Sequence, residues 1–280
     1  MNTQSTDKRG YLNEDFRLFH IKDKIALDVD YHYHEFDKIV VFISGKVNYI
    51  IEGKSYFLKP WDILLVNHNQ IHRPVIDTGE PYERIILWMN TDFIKSNSTK
   101  DYDLSECFKT AASRNFSLVR PESSKRPEIM KILSATEEAL RSREFAGELL
   151  SRTYFLQFLI EINRMTERDN TQSDASSFKS DPKVEGIIAY INSNLKEELT
   201  LDSLSQKFFI SKSYLMHRFK AVTGFPVHSY IQQKRLILAA DLIKNGMPVS
   251  KACAESGYCD YTAFLKAFKK MFGTTPKTKT

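Results

Sequence analysis

Residues 257–276 read GYCDYTAFLKAFKKMFGTTP, and residues 203–224 read SLSQKFFISKSYLMHRFKAVTG. The two stretches are copies of one pattern. Phe219-Lys220 and Gly224 recur as Phe268-Lys269 and Gly273, 49 residues later. Leu215 aligns with Phe264 and His217 with Lys266 at the same offset. Self-similarity at a fixed period marks a repeated structural unit. Each copy predicts a short helix, a tight turn and a second helix that stops near a Gly.

In the first copy, Thr200 or Ser203 is suited to cap a helix over 201–208. The turn Phe209-Ile210-Ser211 leads into a helix over 212–222. There Leu215, Phe219 and Val222 share one face, and Ser213, Met216, His217 and Lys220 lie on the other. In the second copy, 249–256 is the first helix, Gly257 suits a left-handed turn, and Asp260 caps the second helix. That helix buries Phe264, Phe268 and Met271 and leaves Thr262, Lys266 and Lys269 outside. Residues 229–244 predict one spacer helix, packed through Tyr230, Leu236, Ala240 and Ile243 and stopped by Asn245-Gly246. A helix with one packed face and one small, polar and basic face fits the DNA major groove, about 12 Å wide. Two on one spacer would meet successive turns of one DNA face, about 34 Å apart.

Charge separates this part from the rest. Residues 1–181 carry 25 Lys+Arg against 28 Asp+Glu, a balance of −3, and residues 182–280 carry 15 against 7, a balance of +8. A basic module on a mildly acidic body points to a polyanion at the C-terminal end alone. With 280 residues the chain has room for two domains of about 150 residues each, and 42% hydrophobic residues can fill their cores. No run reaches the roughly 18 apolar residues of a membrane helix. The N-terminal MNTQSTDKRG lacks an apolar signal core, so the expected location is the cytoplasm. Cys107, Cys253 and Cys259 have neither zinc nor disulfide spacing, and the expectation is three buried, reduced thiols.

From 16 to 90 the text is strand-like, with β-branched or aromatic runs at 38–43, 47–51 and 62–66. Ser44-Gly45, Glu52-Gly53, Pro60-Trp61-Asp62 and Asp77-Thr78-Gly79-Glu80 punctuate them. Short strands at this spacing predict a small antiparallel barrel or jelly roll. Pro127 opens a helix carrying Ile129, Ile132, Leu133, Thr136 and Leu140. A second helix over 147–167 is more apolar than one packed face requires, and a homodimer contact is a use for the surplus. The Ser- and Asp-rich stretch 169–181 reads as an exposed linker.

The duplicated unit resembles the AraC/XylS family of regulators. Gly257-Tyr258, Asp260, Phe264, Phe268-Lys269, Gly273 and Pro276 fit that family's signature, and the first copy fits together with Tyr230 and Lys234-Arg235-Leu236. Residues 31–36 (YHYHEF), Ser44-Gly45, 56–62 (YFLKPWD) and Ile71-His72 resemble the family's cupin-type sensor, with Trp61 where a Gly is usual. The resemblance implies an α+β multidomain chain. Residues 1–168 would form a cupin-like β-barrel with a helical hairpin, for effector sensing and dimerisation. Residues 169–182 would be a linker and 183–280 an all-α double helix-turn-helix domain. It implies a transcription regulator, an activator, that binds promoter DNA, meets RNA polymerase and answers to a small-molecule effector. Ser213, Met216, His217, Thr262 and Lys266 would read bases, and Lys212, Lys220 and Lys269 would contact phosphates.

His34, Lys38, His72 and Trp88, polar or aromatic on the predicted inner strands, are the effector-pocket candidates. His32-x-His34 on a strand puts both rings on one face, which raises a metal site. Catalytic cupins add a Glu four residues after the second His, and here that position is Lys38, which would repel a cation. Glu35 is too close to replace it on the same pleat. The expectation is therefore a ligand pocket, with no metal, cofactor or catalytic residue. A cupin metalloenzyme with a nucleic-acid-binding domain is the competing class. A regulator controlled by a protein partner is the third.

Overall fold

The computed structural model describes residues 12, 14–24, 29–168 and 178–277. In chain order the first part runs β1 (Phe16–Asp23), β2 (Asp37–Ser44), β3 (Lys46–Ile51), β4 (Lys54–Phe57), β5 (Ile63–Val66), β6 (His72–Asp77), β7 (Tyr82–Met89), α1 (Thr91–Ser96), α2 (Glu106–Ser113), β8 (Leu118–Val119), α3 (Arg126–Arg141), α4 (Gly147–Arg168) and β9 (Phe178–Lys179). The second part is helical: α5 (Pro182–Ser193), α6 (Leu201–Lys207), α7 (Lys212–Thr223), α8 (Val227–Lys244), α9 (Val249–Glu255) and α10 (Tyr261–Phe272). The chain divides into two compact units, residues 1–51 with 55–179 and residues 52–54 with 180–280. Among the described residues no helix is long and apolar enough to cross a membrane.

The strands form two sheets, ordered β1-β7-β2-β5-β8 and β6-β3-β4-β9. Antiparallel pairing runs from Phe16↔Met89 along β1 and β7, and from Lys38↔Trp88 along β2 and β7. Strand β2 is buried along nearly its whole length because each of its faces meets a different layer. Ile39 and Val41 pack with Phe155, Phe158, Leu159 and Ile162 of α4. Val40 and Phe42 point the other way, into a core with Val47, Tyr49, Ile51, Tyr56, Leu64 and Tyr82. The expected closed barrel is thus an open two-sheet sandwich among the described residues. Its edge strands β8 and β9 are two residues each, too short to carry a ladder round to the other sheet.

Gly45 (φ +114) joins β2 to β3, and an added Cβ there would meet Pro81 O and Tyr82 Cα at 3.0 Å. Trp61 takes the left-handed conformation (φ +76) that a Gly would adopt more cheaply. Its turn is held by Asp62, fully buried, which accepts from Arg120 Nε at 2.7 Å and Nη2 at 2.9 Å and from the Lys59 amide at 2.8 Å.

Helix α3 buries Ile129, Ile132, Leu133, Thr136 and Ala139. Leu140, expected on the packed face, is exposed, because the apolar stripe follows 129-132-133-136 and reaches 139. Residues 169–177 of the expected linker lie outside the described residues, while Phe178 and Lys179 pair with Tyr56 and Ser55. Helices α1, α2 and α5 were not expected. Of the cysteines, Cys107 and Cys253 are buried but Cys259 is exposed, a correction to the expected three buried thiols. Cys259 sits in the turn before Asp260, where no packed face reaches it.

Candidate functional site

The helical unit carries the first candidate site. Thr200 caps α6: its Oγ1 accepts from the Ser203 amide at 3.0 Å, while the Thr200 amide donates to Ser203 Oγ at 3.0 Å. Ser203 is therefore the cap's partner at the third helical position and not the cap itself. Ser211 caps α7, accepting from the Tyr214 amide at 3.1 Å, and Gly224 (φ +80) ends it. In the second copy Asp260 caps α10, accepting from the Ala263 amide at 2.9 Å, and Gly273 (φ +74) ends it. Both second helices therefore begin and end on matching devices and have equal length.

Leu215 and Phe219 anchor α7, and Phe219 meets Tyr230 edge-on with centroids 5.3 Å apart. Thr223 is buried where Val222 was expected, since its hydroxyl donates back to Phe219 O at 2.8 Å. Phe264 and Phe268 anchor α10 in a cluster with Leu236, Ala239, Ile243, Ala252 and Cys253, against which Met271 packs partly buried. On α8, Ala239 takes the fully buried place expected of Ala240. The spacer starts at Val227, two residues earlier than expected, with Pro226, its φ fixed by the ring, as the N-cap.

Lys212, Ser213, Met216, His217 and Lys220 are all exposed on α7, and Thr262, Lys266 and Lys269 on α10. Lys212 is ion-paired with Asp202. Arg218, beside them, is bound to Asp181, the cap of α5. Neither Arg218 nor the exposed Tyr214 and Tyr261 was named from sequence, although each lies one residue from a position that was.

The second candidate site lies in the β unit. Lys38 and Trp88 are cross-strand neighbours. Their faces continue the inter-sheet side of β2 and β7, where His72, Tyr49, Tyr82 and Arg84 also sit. The His34 ring lies 5.2 Å from His72 and 5.8 Å from Trp88, and stacks on Phe36 at 4.5 Å. The four sequence-derived pocket candidates thus come together. His32, placed on the His34 face by the sequence but not among the pocket candidates, joins them at 5.0 Å from His34 and 4.4 Å from His72. Phe36, Tyr49, Tyr82 and Arg84 were missed; period-2 counting from Lys38 and Trp88 along each strand would have found the last two.

Burial dominates the electrostatics here. It brings the Lys38 ammonium down to about 7, helped by the charge of Arg84. Burial, then Lys38 and His32, lower His34 to about 2, and His72 also falls well below the usual imidazole range. Lys38 donates to Tyr49 Oη at 2.9 Å, and Arg84 clamps Asp23 with two bonds of 2.7 and 3.1 Å. Three buried polar atoms of this cluster have no partner: His34 Nδ1, His72 Nε2 and Trp88 Nε1. Buried polar groups are ordinarily paired, so a cluster of orphans marks a place built for something else.

Residues 19–159 match the AraC-like ligand binding domain, half of the chain, and residues 204–279 match a helix-turn-helix domain. The chain is 24% identical over 247 residues to the "Probable transcriptional regulator LumQ" of Photobacterium leiognathi, covering 88% of this chain and 90% of that one. It is 24% identical over 255 residues to the HTH-type transcriptional activator RhaR of Mannheimia succiniciproducens, covering 88% and 84%. Over 94 residues it is 32% identical to the regulatory protein SoxS of Escherichia coli, covering 33% of this chain and 88% of SoxS. These relatives are regulators, not enzymes.

Proposed function

The chain belongs to the AraC family of transcriptional regulators, and from that premise we propose that it is an effector-controlled activator that grips promoter DNA with α7 and α10. One observation carries this: two helices of equal length, capped alike, each show a free face of small, polar and basic side chains. Ser213, Met216 and His217 on α7 and Thr262 and Lys266 on α10 read bases. Lys212, Lys220 and Lys269 hold phosphates, and Lys212 exchanges Asp202 for one. The spacer α8, 18 residues, is about 27 Å long at 1.5 Å per residue. That length suits neighbouring major-groove segments on one DNA face.

The effector is a small polar molecule seated among His34, Lys38, His72 and Trp88. The orphaned atoms there favour a small molecule over a protein partner, since they are buried away from any surface a protein would touch. The regulator works in the cytoplasm as a homodimer through α4, within reach of RNA polymerase. RhaR, an activator by name, supports the sign of the response.

Footprinting on the DNA upstream of the protein's own gene tests the core claim. Protection over about two helical turns is expected at low salt, and its absence overturns the proposal. Lys266→Ala should cost about 1–3 kcal/mol and relax preference at one base position. Lys220→Ala should weaken all sequences alike and flatten the salt slope by about one unit. Identical behaviour of the two would refute the division between base reading and backbone gripping.

A further inference from the structure

We propose that His32, His34 and His72 together bind one divalent ion of the late first-row transition metals, cobalt, nickel, copper or zinc. The inference rests on reading this cluster as the ligand pocket, and it names a resident of that pocket.

The spacing fits an ion. A metal–nitrogen bond of about 2.0–2.1 Å puts each ring centroid about 3.2 Å from the ion, so tetrahedral ligands have centroids about 5 Å apart. The three rings here are 5.0, 4.4 and 5.2 Å apart. One nitrogen of each ring already lies within 4.8 Å of the others. Ligation needs about 3.3 Å between them, an inward shift that small ring rotations supply.

The tautomers fit as well. His72 Nδ1 lies 2.9 Å from Gln70 O and His32 Nδ1 lies 2.8 Å from Asp30 O. A carbonyl only accepts, so each Nδ1 carries the proton and each Nε2 keeps its lone pair. An outer carbonyl that fixes the ring in this way is the usual second contact of a metal-bound histidine. His72 Nε2 and His34 Nδ1 are buried without a partner, on residues 1% and 8% exposed. On His72 that nitrogen holds the lone pair, whose desolvation cost a metal bond removes.

The scaffold is fixed. His32 and His72 exchange backbone hydrogen bonds of 3.0 and 2.9 Å, and His34 O accepts from the Asn69 amide at 2.8 Å. The ligand set is all imidazole, which selects these metals over magnesium and calcium, ions that require oxygen. Lys38, whose charge opposes a cation, directs its hydrogen bond to Tyr49. Three protein ligands leave the fourth position to water or to a donor atom of the effector.

The test uses the full chain, stripped with a chelator and titrated with cobalt(II), nickel(II), zinc(II) and magnesium(II). One equivalent of each transition metal should bind, cobalt should give the visible ligand-field bands of a nitrogen-rich site, and magnesium should not bind. His34→Gln and His72→Gln should each weaken binding by more than the roughly 10–100-fold that losing an outer-shell contact costs. His32→Gln, at the most exposed of the three, gives the same answer if either buried variant fails to fold. His20→Gln, outside the cluster, should change nothing. Less than about 0.1 equivalents bound at a site of this ligand type, or undiminished affinity in the His32→Gln variant, overturns the proposal. Metal binding lost with the footprint intact refutes the ion alone. A lost footprint with metal bound refutes the DNA reading alone.

Discussion

Gly257 and Phe209 hold the same place in the two helix-turn-helix copies, the left-handed residue after the first helix, with φ of +86 and +52. Their substitutions should act in opposite directions. A Cβ on Gly257 would sit 2.2 Å from Leu195 O and 2.8 Å from Arg235 Nε, atoms bonded to each other at 2.9 Å. Gly257→Ala should therefore cost about 2–4 kcal/mol, left-handed strain plus overlap with a backbone carbonyl. Urea unfolding reads it, and a loss under about 1 kcal/mol would mean that the Leu195 segment yields freely. Phe209 is 93% exposed, so its ring stabilises nothing that its backbone could offset. Phe209→Gly should leave stability unchanged or raise it by about 0.5–1 kcal/mol. Gly257 was legible in the sequence because glycine is the ordinary left-handed residue. Phe209 was not, because the chain on both sides of it imposes a conformation that its own side chain disfavours. The pocket shows the same limit. His34 and His72 could be named as pocket residues, and the reciprocal backbone bridge to His72 is what sets His32 beside them.

At the scale of the element, helices with long apolar periods could be read and short or unexpected ones could not. Helix α4 begins at Gly147 as the spacing predicts and runs one residue past its expected end, to Arg168. Helix α5 escaped notice although its signals are present: Asp181 before Pro182, then Val184, Ile187, Ile188 and Ile191 buried at helical spacing. The polar run before it drew the linker one residue too far. Asp181 holds this helix, accepting from the Lys183 and Val184 amides at 3.1 and 3.2 Å while paired with Arg218. Burial raises its carboxyl, but the Arg218 bond, the Val184 amide and the Arg218 charge outweigh it, and the net shift is downward. A carboxyl lowered by folding stabilises above its unfolded value, about 3.9, and that contribution fades as the pH falls through the folded value. Asp181→Ala should thus cost about 1–2 kcal/mol at pH 7, mostly as a lost cap, since Arg218 is half exposed and its pair is screened. The gap from the parent protein should narrow toward pH 3; a gap constant from pH 7 to pH 3 would show that the charge of Asp181 is irrelevant.

For the whole molecule, the charge asymmetry and the exposed face of α4 can be tested in one measurement. Residues 182–280 carry the balance of +8, and each phosphate neutralised adds about −0.9 to the slope of log affinity against log salt. Lys212, Lys220 and Lys269 as phosphate contacts give about −2.7 per chain. On α4, Leu149 and Ile160 are exposed, 65% and 39%, with Leu156 half-buried between them. Spaced by 7 and 4 residues, these three form one stripe along the helix. Leu149 and Ile160 project from a helix that buries Phe155, Phe158, Leu159 and Ile162, and Leu156 between them is half-buried against that same core. The homodimer proposed above would cover Leu149 and Ile160. Such a dimer on paired half-sites doubles the salt slope to about −5. Leu149→Glu with Ile160→Glu sets like charges against each other across that seam, so the variant should sediment as a monomer and its slope should return to about −3. The core residues of α4 are untouched, so folding is preserved and serves as the control. A parent protein that already sediments as a monomer, with the variant's slope, would remove α4 as the dimer contact and leave the basic unit to bind DNA as a single copy.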